Sequence, residues 1–563
     1  MIFFILPTFL LILNCLGLYF FRQWWGPLGA FVSSSIFIIA VIFLLIGALF
    51  FQLGTGAVWF VDFGRIFFLF DVIDINLILL SDTLGLTAAI LVLTLTLSAQ
   101  YFGVEYMYRE AFVLRLVYLL NFFATSVVFL FFVYDFFLIL VVWELIGLFS
   151  LLLVNFYSTR VYTVKAAFKT FLFSRFSDFF IFIVFFFFVL ILNSTDLSVL
   201  FLKIPFFVFF NVYVSGVGFN MLNLLGFFIV IAGGVKAAQF FFHVWLPDAM
   251  EAPTPASALI HSSTLVIMGI YLIIRFNVLF EFSYLGNTTL SVLGGLTIAV
   301  GAISASFQND IKKLVAYSTV SQMGYLFCGC GFMAYKEVMF YLAVHAMNKA
   351  FLFIMVGYVV HFFTGNTDLR FMGRLYTYSF DLTALLIIIS LNLTGLPTTS
   401  GFIAKEFLVF QTFKSDYFSL FVRVTWFVSF LLTPVYMLFL NYFVAFRTNQ
   451  TYVSNATTPN PGLTLFTKDK FNLGTQSLVI AKMTSVLLGL LLLLVLFLGE
   501  YALTILLSSN SQLGAITSFS FLNEAPLVSD NLLLSTYSLN TALGLIILTS
   551  SETALRFLYL LIY

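Results

Sequence analysis

The chain has 563 residues, 62% of them hydrophobic and only 9% charged, against about 45–50% apolar and 25% charged in soluble domains, so a soluble globular fold is excluded. Its 25 basic and 24 acidic side chains leave a net charge of +1, which excludes the strongly basic surface that a nucleic-acid partner requires. Phenylalanine reaches 78 residues, more than packing demands, and points to T-rich codon usage of the kind found in some organelle genomes.

Apolar runs long enough for a bilayer, ~20 residues, follow one another along the chain. They fall at 2–20, 30–51, 83–102, 112–133, 136–157, 168–192, 222–245, 256–274, 289–309, 314–333, 337–362, 383–410, 421–446, 478–498 and 531–563. The expected fold is therefore an all-α polytopic membrane protein of about fifteen transmembrane helices. No basic region precedes the first run and no small-residue cleavage site follows it, so it is read as a retained helix and not as a signal peptide. Lys and Arg are spread too evenly over short loops to fix an orientation. Cys15, Cys328 and Cys330 sit in apolar runs without metal-ligand spacing, which predicts buried packing. The polar interruptions at 52–82, 193–221, 275–288, 363–382 and 447–477 are too short for a soluble domain, so function is expected inside the helix bundle. The sequons at Asn193, Asn287, Asn449 and Asn455 are expected to carry no sugar if the chain is made inside an organelle.

Along this order, ionisable residues recur at membrane depth, where a charge is costly and marks a functional site by default. Glu144, in VVWELIGLF, is flanked by apolar residues for more than a turn on each side; a proton-handling carboxylate and a locally hydrogen-bonded one both fit. Arg175 and Asp178 (SRFSD) stand three apart and share a helix face, either as a self-neutralising pair or with Asp178 trading partners with Lys236. Lys236 lies ahead of a break carried by Pro247, Pro253 and Pro255, and is expected well inside its helix. There its hold on a proton depends on whether a carboxylate such as Glu144 stands beside it. Unwound backbone at membrane depth is tolerated only where protein or water meets its polar groups, and paired broken helices point to a transport site.

His261 follows the first break, and His345 and Lys349 (HAMNK) lie four apart on one face; histidine titrates near neutrality and can relay protons, although a lone buried histidine equally serves packing. His243 and His361 also lie in or beside the charged helices. Asp310, Lys312 and Lys313 cluster at an expected helix boundary as solvated anchors. A second break, GLPTTSG with Pro397 at its centre, precedes Lys405 and Glu406; Glu406 is expected to face a neighbouring helix or subunit. The spacing from Lys236 to Lys405 also carries Glu144 onto Lys313, which suggests two internal repeats. No HExxH cluster, phosphate loop, GxGxxG turn, CxxC pair or nucleophile elbow occurs, so neither a metal nor a cofactor is expected on this chain.

WELIG, FSRFSD, VKAAQFFFHVWLPDAMEAPTPASALIHSSTLV, QNDIKKLVAYSTVSQMGY, VHAMNKAFLF, TDLRFMGRL and GLPTTSGFIAKE, in that order over about 82–446, resemble the antiporter-like membrane-arm subunits of mitochondrial NADH dehydrogenase (ubiquinone; respiratory complex I), subunit 5 above subunits 4 and 2. The resemblance implies a multi-pass protein of the mitochondrial inner membrane that couples electron transfer to proton pumping. Its partners would be other membrane-arm subunits, especially the adjacent subunit 4, and membrane lipids, with flavin and iron–sulfur clusters on partner subunits. It further implies two inverted five-helix repeats with discontinuous helices, placed here at 111–275 and 276–446. They follow N-terminal helices and a loop at 1–110 and precede a C-terminal loop and helix at 447–563. By the same resemblance Glu144, Asp178, Lys236, His261, His345, Lys349 and Lys405 are proton-transfer residues, and Arg175, the prolines and Glu406 have structural or coupling roles. Two departures stand out. Leu145 and Ser177 occupy places where the family usually has glycine, and the C-terminal part is too short for both a long lateral helix and a final anchor. A multisubunit cation/proton antiporter component and a non-conducting arm scaffold are the alternative functions.

Overall fold

The computed structural model describes residues 2–447 apart from 56–57, 70–72, 108–109, 111, 193–194, 215–216, 263, 364, 397–398 and 413–417. The expected helix at 478–498, the lateral helix or anchor at 531–563, nearly all of the C-terminal segment at 447–563, and Pro397 lie outside the described residues.

Helix α1 runs Ile2–Thr55, with its axis broken at Gly26, so the expected runs at 2–20 and 30–51 are two arms of one element. Strands β1 (Trp59–Leu69) and β2 (Ile73–Ser81) then pair antiparallel. Next come α2 (Thr83–Tyr106), α3 (Val113–Phe132), α4 (Phe136–Val154) and α5 (Val161–Leu192). A short α6 (Leu197–Lys203) and a second hairpin, β3 (Asn211–Val214) with β4 (Val217–Asn220), lead to α7 (Met221–Lys236). The two hairpins correct the all-α expectation. They fill the polar interruptions at 52–82 and 193–221, where backbone groups no longer in a helix pair strand to strand.

After α7 the chain turns through α8 (Trp245–Asp248) into α9 (Thr254–Ser262), α10 (Leu265–Arg275) and α11 (Asn277–Phe282). The second half comprises α12 (Tyr284–Ser306), α13 (Ile311–Gly331), α14 (Tyr335–Phe362), a short α15 (Leu375–Tyr378), α16 (Phe380–Thr394), α17 (Ser400–Thr412) and α18 (Phe418–Asn441). Among the described residues nine helices are long and apolar enough to cross a membrane. Two of the fifteen expected runs lie outside the described residues, and most of the remaining difference has a physical cause. α7 and α16 stop at 16 and 15 residues, short of the ~20 a bilayer needs, and each stops at a break. The first 21-residue helix of the second half, α13, is diluted by Lys312, Lys313 and a run of Ser, Thr and Gln.

α9, α10 and α14 form the buried middle of the bundle. α14 packs against α2, α9, α13, α16 and α17, while α7 packs against α5, α10 and α12. Two hairpins of helices are closed in the same way at their open ends. Asp135 caps α4 and bridges to Asp196 beyond α5, and Asp310 precedes α13 and bridges to Asp368 beyond α14. Outside the bundle, the Arg370 guanidinium bonds the Asp368 carboxylate at 2.6 Å and holds that carboxyl below its usual range. In this frame Glu144 lies beyond the second turn of α4 but Lys313 in the first turn of α13, paired at 3.5 Å with Asp310. The spacing that equates Glu144 with Lys313 is thus corrected, and Lys313 is an anchor at a helix start.

The second break is built around Asn392. Gly395 caps α16 in the left-handed region at φ 82°, open to glycine at no steric cost. The Asn392 carboxamide oxygen accepts the Gly401 N–H at 2.8 Å and the Ser400 hydroxyl at 3.2 Å. A methyl group on Gly401 would collide with the Asn392 carbonyl. Gly401→Ala is therefore expected to cost about 1–3 kcal/mol, as overpacking does, and to shorten the half-life of the purified assembly at elevated temperature; an unchanged half-life would show that the break relaxes freely.

Candidate functional site

The first cluster forms where α4, α5 and α7 meet. Lys236 is the last residue of α7, not an interior one, and only 2% of it is exposed. The helix ends there because the chain turns at once, with Ala238 at φ 52° and Phe241 at φ 71°. Such conformations are costly for residues other than glycine and concentrate at functional sites. The turn is held by Gln239 N–H on Gly234 O (2.8 Å), Thr297 Oγ1 on Gln239 Oε1 (2.8 Å) and Trp245 Nε1 on Val235 O (3.0 Å). An ammonium at a helix C-terminus faces the negative end of the helix dipole, which helps to retain the charge at this depth.

Lys236 Nζ lies 5.4 Å from the centroid of the Trp143 ring and, among the described residues, meets no hydrogen-bonding atom. Gly147 packs beside it, and a methyl group there would stand 3.4 Å from Nζ, an ordinary contact. Arg175 is shared between two carboxylates, with Nε 3.2 Å from Asp178 Oδ2 and Nη1 3.6 Å from Glu144 Oε1. Asp178 is buried and feels the charges of both Lys236 and Arg175. Glu144 is not the enclosed carboxylate that the sequence suggested, because its side chain is 36% exposed. It shares a face of α4 with Val141, Leu145 and Leu148, which are exposed among the described residues.

The two residues standing where the family usually has glycine are placed differently. Leu145 points outward and crowds nothing, whereas Ser177 is fully buried and bridges three helices. It accepts from Trp143 Nε1 at 3.3 Å and donates to the Ala232 carbonyl at 2.9 Å.

A small cavity of about 10 Å³, no more than a single water needs, adjoins Lys236, lined among others by Ser150, Thr170, Ser174 and Trp245. All three hydroxyls donate to carbonyls three residues back on their own helices. They therefore present lone pairs to the cavity, which suits an ammonium or a water O–H as donor.

The second cluster joins α13, α14, α16 and α17. Lys349, fully buried, donates to the Ser318 hydroxyl and at 3.4 Å to the Val315 carbonyl. Its neighbour Asn348 accepts from Asn392 Nδ2 at 2.8 Å. Lys405 donates at 2.6 Å to the Leu393 carbonyl, one of the groups freed where α16 ends. His345, one turn before Lys349 on α14, is buried, and among the described residues neither ring nitrogen has a hydrogen-bond partner. Beyond it Tyr341 donates to Gln322 and Tyr325 bonds Ser429 on α18. Glu406 is half-exposed on the adjacent face of α17.

Between the clusters stands His261 on α9, fully buried, its ring 6.2 Å from Trp245 and 6.1 Å from Phe353. Trp245 lines the Lys236 cavity and Phe353 follows Lys349 by one helical turn. The two polar groups thus meet at an aromatic-walled junction with no hydrogen bond crossing it among the described residues. Of the prolines, Pro247 lies inside α8, Pro253 directly before α9 and Pro255 in its first turn, and Pro255 packs on Gly103. His243 is half-buried in the turn after α7, and His361 is exposed with its ring against Tyr106.

Sequence reading missed Trp143, Ser174, Ser318, Asn348 and Asn392, though an asparagine just ahead of a helix-ending glycine was a usable signal. Among the described residues no group of three or more His, Cys, Asp or Glu could hold a metal ion, and Cys15, Cys328 and Cys330 are buried and free.

Buried amines beside two helix breaks, inside a bundle of membrane-length helices, define an antiporter-like transmembrane domain. Residues 133–433 match the family described as NADH:quinone oxidoreductase/Mrp antiporter, TM, and the chain belongs to that family. It is 38% identical over 499 residues to NADH-ubiquinone oxidoreductase chain 5 of Nyctotherus ovalis, covering 86% of this chain and 27% of that protein. It is 34% identical over 433 residues to the chain 5 protein of Acanthamoeba castellanii, covering 74% of this chain and 63% of that one. Against the Paramecium tetraurelia protein identity is 39% over 328 residues, covering 58% and 57%. The chain thus spans less than two thirds of the length of these relatives.

Proposed function

We propose that this chain is the proton-translocating subunit 5 of the respiratory complex I membrane arm in the mitochondrial inner membrane. It would work beside subunit 4 and other arm subunits and serve NADH:ubiquinone oxidoreduction whose flavin and iron–sulfur chemistry lies on partner subunits. The observation that carries the reading is the placement of Lys236, Lys349 and Lys405, all buried, with Lys236 at the end of α7, Lys405 on the Leu393 carbonyl at the end of α16, and Lys349 next to Asn348, which accepts from Asn392. The names of the relatives support the assignment to complex I. The matching Asp135–Asp196 and Asp310–Asp368 bridges support two inverted repeats of about five helices, 111–275 and 276–446, within a chain of about fifteen spans.

In this mechanism Arg175 is the movable partner. When it leans on Glu144, Asp178 is free to hold the proton on Lys236. When it returns to Asp178, Lys236 loses its counter-charge and releases the proton. A unit charge at ~4 Å acts with about 4 kcal/mol at an effective dielectric of about 20, enough to change proton occupancy roughly a thousandfold. The released proton crosses the His261 junction when water enters it, reaches Lys349 and His345, and leaves by way of Lys405. Partial exposure of Glu144 among the described residues would give a neighbouring element or subunit access to the switch.

Lys349→Met tests the reading. In reconstituted vesicles the assembled complex carrying it is expected to pump fewer protons per NADH oxidised, with oxidation intact under uncoupler. A normal ratio accompanied by poor assembly would instead favour the scaffold function.

A further inference from the structure

One hydroxyl fastens together the three helices that carry the first cluster. Ser177 Oγ accepts the Trp143 N–H at 3.3 Å and donates to the Ala232 carbonyl at 2.9 Å. Each of these residues adjoins a charged member of the cluster: Trp143 precedes Glu144 on α4, Ser177 precedes Asp178 on α5, and Ala232 lies one turn before Lys236 on α7. Trp143 is fully buried, and the Lys236 ammonium lies 5.4 Å from its ring centroid, inside the ~6 Å over which an aromatic face attracts a cation. Among the described residues no hydrogen-bonding atom meets Nζ, so this face takes the place of an acceptor. The two carboxylates nearby are shared with Arg175, whereas the ring serves Lys236.

We propose that Trp143 is a positioning residue whose ring face holds the Lys236 ammonium, and that the Ser177 hydroxyl sets the tilt of that ring by keeping its N–H away from Asp178. This rests on the proton-translocating reading and names what holds the carrier in place. An indole has a single N–H to give, and the Asp178 carboxylate is close enough to feel it. While Ser177 takes that proton, the Asp178 oxygens stay available to Arg175 and to the charge of Lys236. A ring turned toward Asp178 would withdraw its face from Nζ and blunt the counter-charge in the same movement. Ser177 resists the turn because its own proton is committed to the Ala232 carbonyl, which leaves a lone pair aimed at Trp143.

The test uses the assembled complex in reconstituted vesicles. Trp143→Leu is expected to slow proton transfer through the cluster about five- to thirtyfold, the range for losing a desolvated cation–π contact, read as a lower proton-to-electron ratio. Trp143→Phe keeps a ring face without the N–H and is expected to recover most of that loss. Ser177→Ala is expected to match Trp143→Phe, and the double variant to be no worse than either, because both changes break the same bond. A second measurement reads the contact without pumping and serves where Trp143→Leu fails to assemble. Ultraviolet resonance Raman spectra of the parent minus Trp143→Phe isolate this indole. Ser177→Ala is expected to shift its N–H-sensitive band, and Lys236→Met its ring bands. Bands indifferent to both variants overturn the proposal, as does a normal ratio in Trp143→Leu where Lys236→Met lowers it. The two readings fail separately. Undiminished pumping in Lys236→Met with the expected band shifts rejects the function and leaves the positioning, and lost pumping with indifferent bands does the reverse.

Discussion

Lys236→Met is expected to abolish proton transfer through the first cluster, by about a hundredfold or more, the scale on which a positioned acid–base group contributes. Methionine nearly matches the lysine stem in volume, so packing against Trp143 and Gly147 survives and the complex assembles. What is lost is the group proposed to carry the proton. Glu144 and Asp178 are then left sharing Arg175 alone, and the cluster gains an uncompensated negative charge. The decisive comparison is Lys236→Arg. A guanidinium restores the charge but does not release its proton in a protein, so a purely structural cation is rescued by arginine and a proton carrier is not. Both variants should lower the proton-to-electron ratio in reconstituted vesicles while NADH oxidation persists under uncoupler. Near-normal pumping by Lys236→Arg would reduce Lys236 to a structural counter-ion and remove it from the path.

Lysines in apolar runs and Pro- or Gly-punctuated helices are local signals, and for that reason Lys236, Lys349, Lys405 and both breaks were legible in the sequence. What a residue faces is not local. The seclusion of Glu144 seemed assured by apolar neighbours, but those neighbours line an outward face of α4, and only the packing of α3 and α5 decides which face is covered. The end of α7 was hidden for a different reason. It turns on left-handed Ala238 and Phe241, residue types with no preference for that region, while the prolines drew attention to a point ten residues on. The hairpin of β1 and β2 was also hidden, because WFVDFGRIFFL lacks the strict alternation that marks a half-buried strand. The Lys169–Asp248 and Asp82–Arg275 pairs join residues far apart in sequence, each partner placed where an interfacial anchor would be equally natural.

Arg275→Met is the stability counterpart of Lys236→Met, with an expected cost of about 3–5 kcal/mol, the range for removing one partner of a buried ion pair. Arg275 donates at 2.5 Å to Asp82 Oδ2, at 3.2 Å to the Phe131 carbonyl, and to the Tyr271 hydroxyl. It thereby ties the end of α10 to the start of α2 and the end of α3, and both carboxylate and guanidinium are almost completely buried. Removing the guanidinium strands a carboxylate that has little access to water. Asp82 has a second task, since its Oδ1 accepts the Gly85 N–H at 2.8 Å and caps α2, so the compensating change must keep an acceptor there. Asp82→Asn does so at small cost, because asparagine caps as well as aspartate. The double variant Asp82→Asn with Arg275→Met should therefore recover much of the loss, the stranded charge having been its main cause. The readout is the half-life of the purified complex at a fixed elevated temperature, since a large membrane assembly unfolds irreversibly and its stability is a rate. A single variant as durable as the parent would show that water reaches the pair. A double variant no better than the single would place the cost in the lost bonds to Phe131 and Tyr271. Because these residues stand apart from the lysine clusters, whatever assembles should pump normally, and that separates a clamp on the bundle from a station on the proton path.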